Sequence, residues 1–224
     1  MNMPSQKTVF ITGASRGIGK ALTDKFIKEN YFVIGTSTTG KAAFANKNII
    51  FLKLDLSSPK EIEKCVNEFI KLNKKIDILV NNAGIWSGHD EDSNMYLDSL
   101  RKVLEVNVIG TIDLTEKLIP YVNNSGKIIN ISSSSGSLAY KENNYYPDYK
   151  ISKAALNMYT KTLAMRLEDK KIIVASIHPG WVKTDMGGID AALEPEEAAE
   201  EVYQRIISLK ETGQFWFKQE KFPW

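Results

Sequence analysis

Short apolar runs alternate along this chain with segments of helical period, and that alternation restricts the fold more than any single residue does. Thr8–Thr12 (TVFIT) reads as a buried strand, and Gly17–Glu29 as a helix with Ile18, Leu22 and Phe26 at helical spacing. Tyr31–Thr36, Ile49–Leu54 and Ile76–Val80 read as the second, third and fourth strands. Between the last two, Pro59 opens a helix with Ile62, Val66 and Phe69 on one face, a residue suited to a first helical turn. A long helical stretch follows, from Asp98 to Val122, then a fifth strand at Lys127–Ser132. A helix around Pro147–Glu168, a strand at Ile172–Ile177, a helix at Glu196–Leu209 and a short strand at Gln214–Phe217 complete the series. Strands alternating with helices build βαβ units and a parallel sheet. Strands that are apolar throughout are covered on both faces.

The expectation is therefore one α/β domain over residues 1–224. Its sheet is doubly wound, mostly parallel and seven-stranded, with helices on both faces, the Rossmann arrangement. No repeat, low-complexity stretch or long linker interrupts it. The softest segments, Trp86–Asn94 and Ser135–Asp148, each follow a strand. They belong at the C-terminal edge of the sheet, where open α/β sheets bind ligands.

Charge narrows the partners. A net charge of +2, with scattered lysines, is too mild for nucleic acid or an anionic membrane. The one cysteine, Cys65, lies in a helical pattern and reads as a small buried hydrophobe. An intramolecular disulfide is impossible, so the chain fits a reducing compartment or is indifferent to redox. MNMPSQK lacks the apolar core of an export signal, and no run approaches the ~18 apolar residues of a membrane span. The default location is the cytoplasm.

After the first strand comes Thr12-Gly13-Ala14-Ser15-Arg16-Gly17-Ile18-Gly19. Glycines permit a tight strand-to-helix turn and close approach of backbone to a phosphate. The following helix start presents N–H groups and the positive end of its dipole. The spacing is G-x-x-x-G-x-G rather than G-x-G-x-x-G, so it is the strand before and the helix after that point to a dinucleotide. NAD sites place an acid roughly 20 residues further on to hold the ribose 2′-hydroxyl. Here that stretch is Thr36-Ser37-Thr38-Thr39-Gly40-Lys41, with no acid. Hydroxyls and a cation, with Arg16 and Lys41 as candidates, favour the 2′-phosphate of NADP(H) over NAD(H).

Tyr149-Lys150-Ile151-Ser152-Lys153 sets Tyr149 and Lys153 four apart, on one helix face. A free tyrosine, with pKa ~10, exchanges protons poorly near neutrality. An ammonium at ~4 Å contributes about 4 kcal/mol at an effective dielectric of ~20. At ~1.4 kcal/mol per pKa unit, that lowers the phenol by up to ~3, into the range of a general acid or base.

With these pieces the chain resembles the short-chain dehydrogenase/reductases over nearly its whole length. The matching segments are Thr12–Gly19, the Asp55-Leu56 pair, Asn81–Gly84 (NNAG), Asn107 in VNVIGT, Ile131–Gly136 (ISSSSG), Tyr149–Lys153 and His178–Met186 (HPGWVKTDM), in the family's order. HPGWVKTDMGG and the tail QFWFKQEKFPW are similar to the C-factor/sniffer-like carbonyl reductases. The resemblance implies hydride transfer between nicotinamide and a small-molecule carbonyl or alcohol. Tyr149 is then the proton donor or base, Lys153 lowers its pKa and holds the nicotinamide ribose, Ser133 polarises the carbonyl, and Asn107 holds a water leading from Lys153. Gly13, Ser15, Arg16, Gly17, Ile18 and Gly19 form the phosphate loop, and Thr38 and Arg16 contact the 2′-phosphate. Asp55 and Leu56 border the adenine; Asn82, Ala83 and Gly84 border the adenosine ribose. Pro179, Gly180, Val182 and Thr184 hold the carboxamide. Family habit adds a homodimer or homotetramer through the long helices. The name C-factor refers to signalling between cells, so a nucleotide-binding regulatory protein on this scaffold is the alternative; no catalytic position is missing.

The interval from Ser133 to Tyr149 is a few residues longer than in many members, as in C-factor-like ones. Tyr146 would shorten it and also has a lysine four further on, but only Tyr149 begins Y-x-x-S-K-A-A. Pro147 also disfavours helix at Tyr146. Ser133 leads Ser134 as the hydroxyl; Ser132 and Ser135 read as structural. No metal site is expected: His178 reads as a packed strand-end residue and His89, in HDED, as exposed. Trp86, Tyr145, Tyr146 and Trp181 either line an apolar pocket or pack loops. The segment Asp185–Pro195 is short, which suggests a small lid and an open pocket.

Overall fold

Each of the seven apolar runs forms a strand. A computed structural model describes residues 6–41, 46–88, 93–140 and 143–224. In chain order the elements are β1 (Thr8–Ile11), α1 (Gly17–Lys28), β2 (Phe32–Ser37), β3 (Ile49–Lys53), α2 (Pro59–Lys71), β4 (Ile76–Asn81), α3 (Leu97–Leu104), α4 (Thr111–Leu118), β5 (Val122–Ile131), α5 (Pro147–Arg166), β6 (Ile173–His178), α6 (Pro195–Ser208), β7 (Gln214–Phe217) and β8 (Glu220–Lys221). They form one sheet in the order β3-β2-β1-β4-β5-β6-β7-β8. The seven expected strands are mutually parallel, and the two-residue β8 adds an antiparallel edge against β7.

Alternate residues of each strand enter different layers. From β1, Phe10 joins Ile62, Phe69, Leu114, Leu118 and Leu163 on the face covered by α2, α4 and α5. Val9 and Ile11 point the other way, to Leu22, Phe26, Val202 and Ile206 of α1 and α6. Cys65 is in the first layer, 1% exposed, and burial pushes its thiol up to about 12, as befits a packed hydrophobe. Helix starts follow local chemistry. Ser58 Oγ accepts from Glu61 N at 3.3 Å with Pro59 in the first turn of α2, and Glu194 and Glu197 form a reciprocal capping box on α6.

The stretch expected as one helix from Asp98 to Val122 is broken. Between α3 and α4, Glu105–Gly110 forms a π-helical turn, and Ile119–Tyr121 is a 3-10 turn ending at Val122, which already belongs to β5. Two causes are local. Thr111 Oγ1 donates to Val106 O at 3.1 Å, and Pro120 has no N–H to continue the ladder. The third is packing: a Cβ at Gly110 would lie 1.9 Å from Leu56 O, so the wide turn sits against the loop after β3.

A buried polar ladder crosses the sheet below its C-terminal edge. Asn81 of β4 donates to Asn130 of β5 at 2.8 Å and to Thr115 of α4 at 2.9 Å. Asn130 donates to Thr160 of α5, which also meets Ser176 of β6, both at 2.8 Å. These groups are at most 3% exposed, so each bond offsets a desolvation cost, and together they register α4 and α5 on the sheet.

Candidate active site

Chain order reverses between β1, which pairs with β2 on one side and β4 on the other. A cleft of about 1120 Å³ opens there, above the C-terminal strand ends, as the topology requires. Its floor is a network from β1 to β4: Thr12 Oγ1 accepts from Asn82 N and Ala83 N at 2.9 Å, while Asn82 Nδ2 donates to Thr12 O at 2.9 Å and Gly13 O at 3.2 Å. Gly13 and Gly17 have φ of +66° and +53°, which other residues rarely adopt. At Gly19 a Cβ would lie 2.1 Å from Gly13 O, so only glycine lets the turn close. No side chain caps α1 and no acid lies in its first turn, which leaves the dipole end suited to an anion.

The cleft brings together nearly every residue singled out in the sequence. Gly13, Ser15, Arg16, Gly17, Ile18, Gly19, Thr38, Asp55, Leu56, Asn82, Ala83, Gly84, Ser133, Tyr149, Lys153, Pro179, Gly180, Val182 and Thr184 all line it. Lys41 does not; of the two candidate cations only Arg16 is at the cleft, where it pairs with Asp185 across the opening. Asn107 lies behind the wall, 1% exposed in the π turn, with Oδ1 accepting from Ile85 N and Nδ2 donating to Ile85 O, both at 2.8 Å. The wide turn thus fixes the strand-end loop on which Gly84 sits. A Cβ on Gly84 would be 3.3 Å from Asn107 Oδ1 and 3.7 Å from Lys153 Nζ.

Lys153 is 5% exposed and donates to Ile131 O at 2.8 Å, and burial pulls its ammonium down to about 8. Its Nζ lies 5.5 Å from the centre of the Tyr149 ring. Ser133 begins a 3-10 turn, its Oγ accepting from Ser135 N at 3.2 Å, and lies in the cleft wall with Tyr149. Ser132 is buried and bonded to Asn157 at 2.7 Å, in keeping with a structural part. Ser134 and Ser135 line the cleft. Tyr146, at φ +42°, precedes α5 and is outside the helix, as Pro147 dictates.

Trp86, Tyr146 and Trp181 line the cleft, whereas Tyr145 does not. Tyr140, Asn143 and Met186 line it too and were not foreseen. His178 is a cleft-edge residue whose ring packs 4.9 Å from Phe217. The segment after Thr184 is turned back on itself: Val182 pairs with Leu193, and Gly187 N donates to Thr184 Oγ1 at 3.1 Å. Among the described residues no cluster of three His, Cys, Asp or Glu forms a metal site. His89, Asp90 and Asp92 lie outside the described residues. No described helix is long and apolar enough to cross a membrane.

Fold and cleft define a Rossmann-type protein with a dinucleotide-sized site at its switch point. Residues 7–219 match the short chain dehydrogenase family, and the chain belongs to it. It is 35% identical over 191 residues to a 3-oxoacyl-acyl-carrier-protein reductase of Buchnera aphidicola, spanning 81% of this chain and 75% of that one. A short-chain dehydrogenase/reductase from Burkholderia multivorans, solved with bound NADP, superimposes with a TM-score of 0.89 at 27% identity, covering 98% of this chain and all of that one. The carbonyl reductase Sniffer of Drosophila melanogaster does so at 0.86 and 26%, covering 98% of this chain and 100% of that one. The family is one of oxidoreductases, and the resemblance to carbonyl reductases seen in the sequence extends to the structure.

Proposed function

We propose that this chain, a single catalytic domain, is an NADP(H)-dependent oxidoreductase that exchanges a hydride between nicotinamide and a carbonyl carbon. The observation that carries the reading is convergence: the glycine loop and Ser133, Tyr149 and Lys153 line one and the same cleft.

The residues fit such a cofactor. Gly13, Gly17 and Gly19 let the turn close tightly before the uncapped start of α1, which suits a pyrophosphate there. Thr36, Ser37, Thr38 and Arg16 line the neighbouring end with no acid at the close of β2, which suits a 2′-phosphate. The Burkholderia relative with bound NADP supports this choice. When bound, the cofactor supplies or accepts the hydride.

The chain's own groups handle the proton and the orientation. Ser133 donates a hydrogen bond to the carbonyl oxygen and polarises it. Tyr149 gives its phenolic proton to that oxygen as the alcohol forms, and takes it back in oxidation. The Lys153 ammonium favours the phenolate through its charge. Asn107 holds the turn behind Gly84 and, in this reading, a water that links Lys153 to solvent. Trp86, Tyr146 and Trp181 give the substrate end an apolar wall, suited to an uncharged aldehyde or ketone body.

NADPH and NADH oxidation against a panel of aldehydes and ketones tests the reading. Turnover with NADPH well above that with NADH is expected. No turnover of any carbonyl, with either cofactor, contradicts it.

A further inference from the structure

Two cleft-lining residues from different segments, Tyr140 after β5 and His178 at the end of β6, rest on the same ring. Phe222 lies 5.3 Å from the Tyr140 ring and 6.0 Å from the His178 ring. It is far from both in sequence, beyond the last strand. The β7–β8 hairpin brings it there: Phe217 pairs with Glu220, and Phe222 N donates to Phe215 O at 2.8 Å. Phe222 also packs edge-on against Phe215 at 5.1 Å, so it is anchored in the core side of the tail. Two residues later Trp224 stacks on Phe215 at 5.6 Å, and its carbonyl accepts from Ala139 N at 3.0 Å.

The end of the described stretch after β5, Ala139 and Tyr140, therefore meets the tail on its outer side. Tyr140 is half exposed, and among the described residues its contacts include the bond from its N–H to Ser137 Oγ at 3.0 Å and the Phe222 ring. Removing the ring contact removes packing that fixes the tyrosine's position.

We propose that Phe222 is a positioning residue for substrate specificity: it sets Tyr140, and through it the substrate end of the cleft, without touching cofactor. This rests on the carbonyl-exchange reading above. Among the described residues the Phe222 ring packs on Tyr140, His178, Phe215 and Phe217 and on none of the glycine loop or α1, so the expected effect is on substrate.

The test is a double-mutant cycle of Phe222→Ala and Tyr140→Ala in the full chain, reading carbonyl KM, kcat, NADPH Kd and melting temperature. Phe222→Ala should raise KM by about 2- to 10-fold, the worth of one aromatic pair, with NADPH Kd unchanged. In the Tyr140→Ala background the same substitution should add little, since coupled residues are not additive. Phe222→Leu, which keeps bulk, should restore part of the loss and replaces the alanine variant in the cycle if that one does not fold. Unchanged KM, fully multiplicative effects, or KM and NADPH Kd rising together would each overturn the proposal. A wild-type protein that turns over no carbonyl with NADPH would instead overturn the functional reading on which it stands.

Discussion

Lys153 and Tyr149 stand one helical turn apart on α5, with the lysine Nζ 5.5 Å from the tyrosine ring centre and bonded to Ile131 O rather than to any carboxylate. Among the described residues no carboxylate pairs with it, and burial pulls its pKa down to about 8. The charge proposed to favour the phenolate is therefore lost as pH rises through about 8.

The pH dependence follows in sign. Below about 8 the Lys153 ammonium is present, and as pH rises through about 8 it is lost. Carbonyl reduction also consumes a proton, so both effects act in one direction. kcat/KM for reduction, measured in free-enzyme conditions from pH 6 to pH 10 (about the range a lysine so shifted reports), should fall on the alkaline side. Lys153→Met should lower it by about 10²-fold or more and remove that limb. An alkaline limb that survives in the variant assigns it to another group.

Arg16 and Asp185 form an ion pair across the mouth of the cleft, and both side chains are more than three-quarters exposed. Such a pair contributes little, so an incoming phosphate displaces it at small cost. Arg16→Ala should weaken NADPH binding by about 10- to 100-fold, the worth of a hydrogen bond to a charged group, and leave NADH nearly unchanged. Cofactor titrations by nucleotide fluorescence decide it, and equal losses for both would sink the 2′-phosphate assignment.

Gly19→Ala tests the turn itself. Its Cβ would meet Gly13 O at 2.1 Å, a backbone atom that cannot swing aside. Overpacking of this kind costs about 1–3 kcal/mol, which lowers Tm by several degrees in a chain this size. NADPH affinity should drop with it, because the pyrophosphate approaches the same turn. A stable Gly19→Ala protein with normal affinity is the contrary result in calorimetry and titration.

Ile151, Met158 and Met165 recur every seventh residue of α5 and are 42%, 62% and 73% exposed. With Ile109 on the neighbouring π turn, 54% exposed, they leave an apolar stripe on one face. The expected partner is a second copy of the chain. Met158→Glu should shift light-scattering mass toward the monomer, by about 10-fold or more in dimer dissociation constant. A wild-type protein that is already monomeric at micromolar concentration rules the interface out.

How far the sequence carried depends on whether a feature is set locally. The strands were legible because continuous apolar runs have few alternatives, and the glycine loop because Gly13, Gly17 and Gly19 are each demanded by a turn a few residues long. The broken helix was not. Gly110 does not by itself distinguish a π turn from an α-helix; beside the local Thr111–Val106 bond, the shape depends on Asn107 reaching Ile85 and on Gly110 meeting Leu56, both long-range contacts. The aromatic wall divided the same way. Trp86, Tyr146 and Trp181, singled out near strand ends, line the cleft and Tyr145 does not; Tyr140 lines it too, and its ring meets Phe222, which is distant in sequence. The short β8 was missed for lack of length: two exposed residues, Glu220 and Lys221, give no periodicity to read.

The central claim is that Tyr149 moves the proton. Its most direct test is Tyr149→Phe, assayed for NADPH-dependent carbonyl reduction and, in parallel, for NADPH binding. Loss of turnover by about 10²-fold or more, the usual worth of a positioned general acid, with NADPH still bound, is the predicted result. Wild-type turnover in that variant would contradict the account.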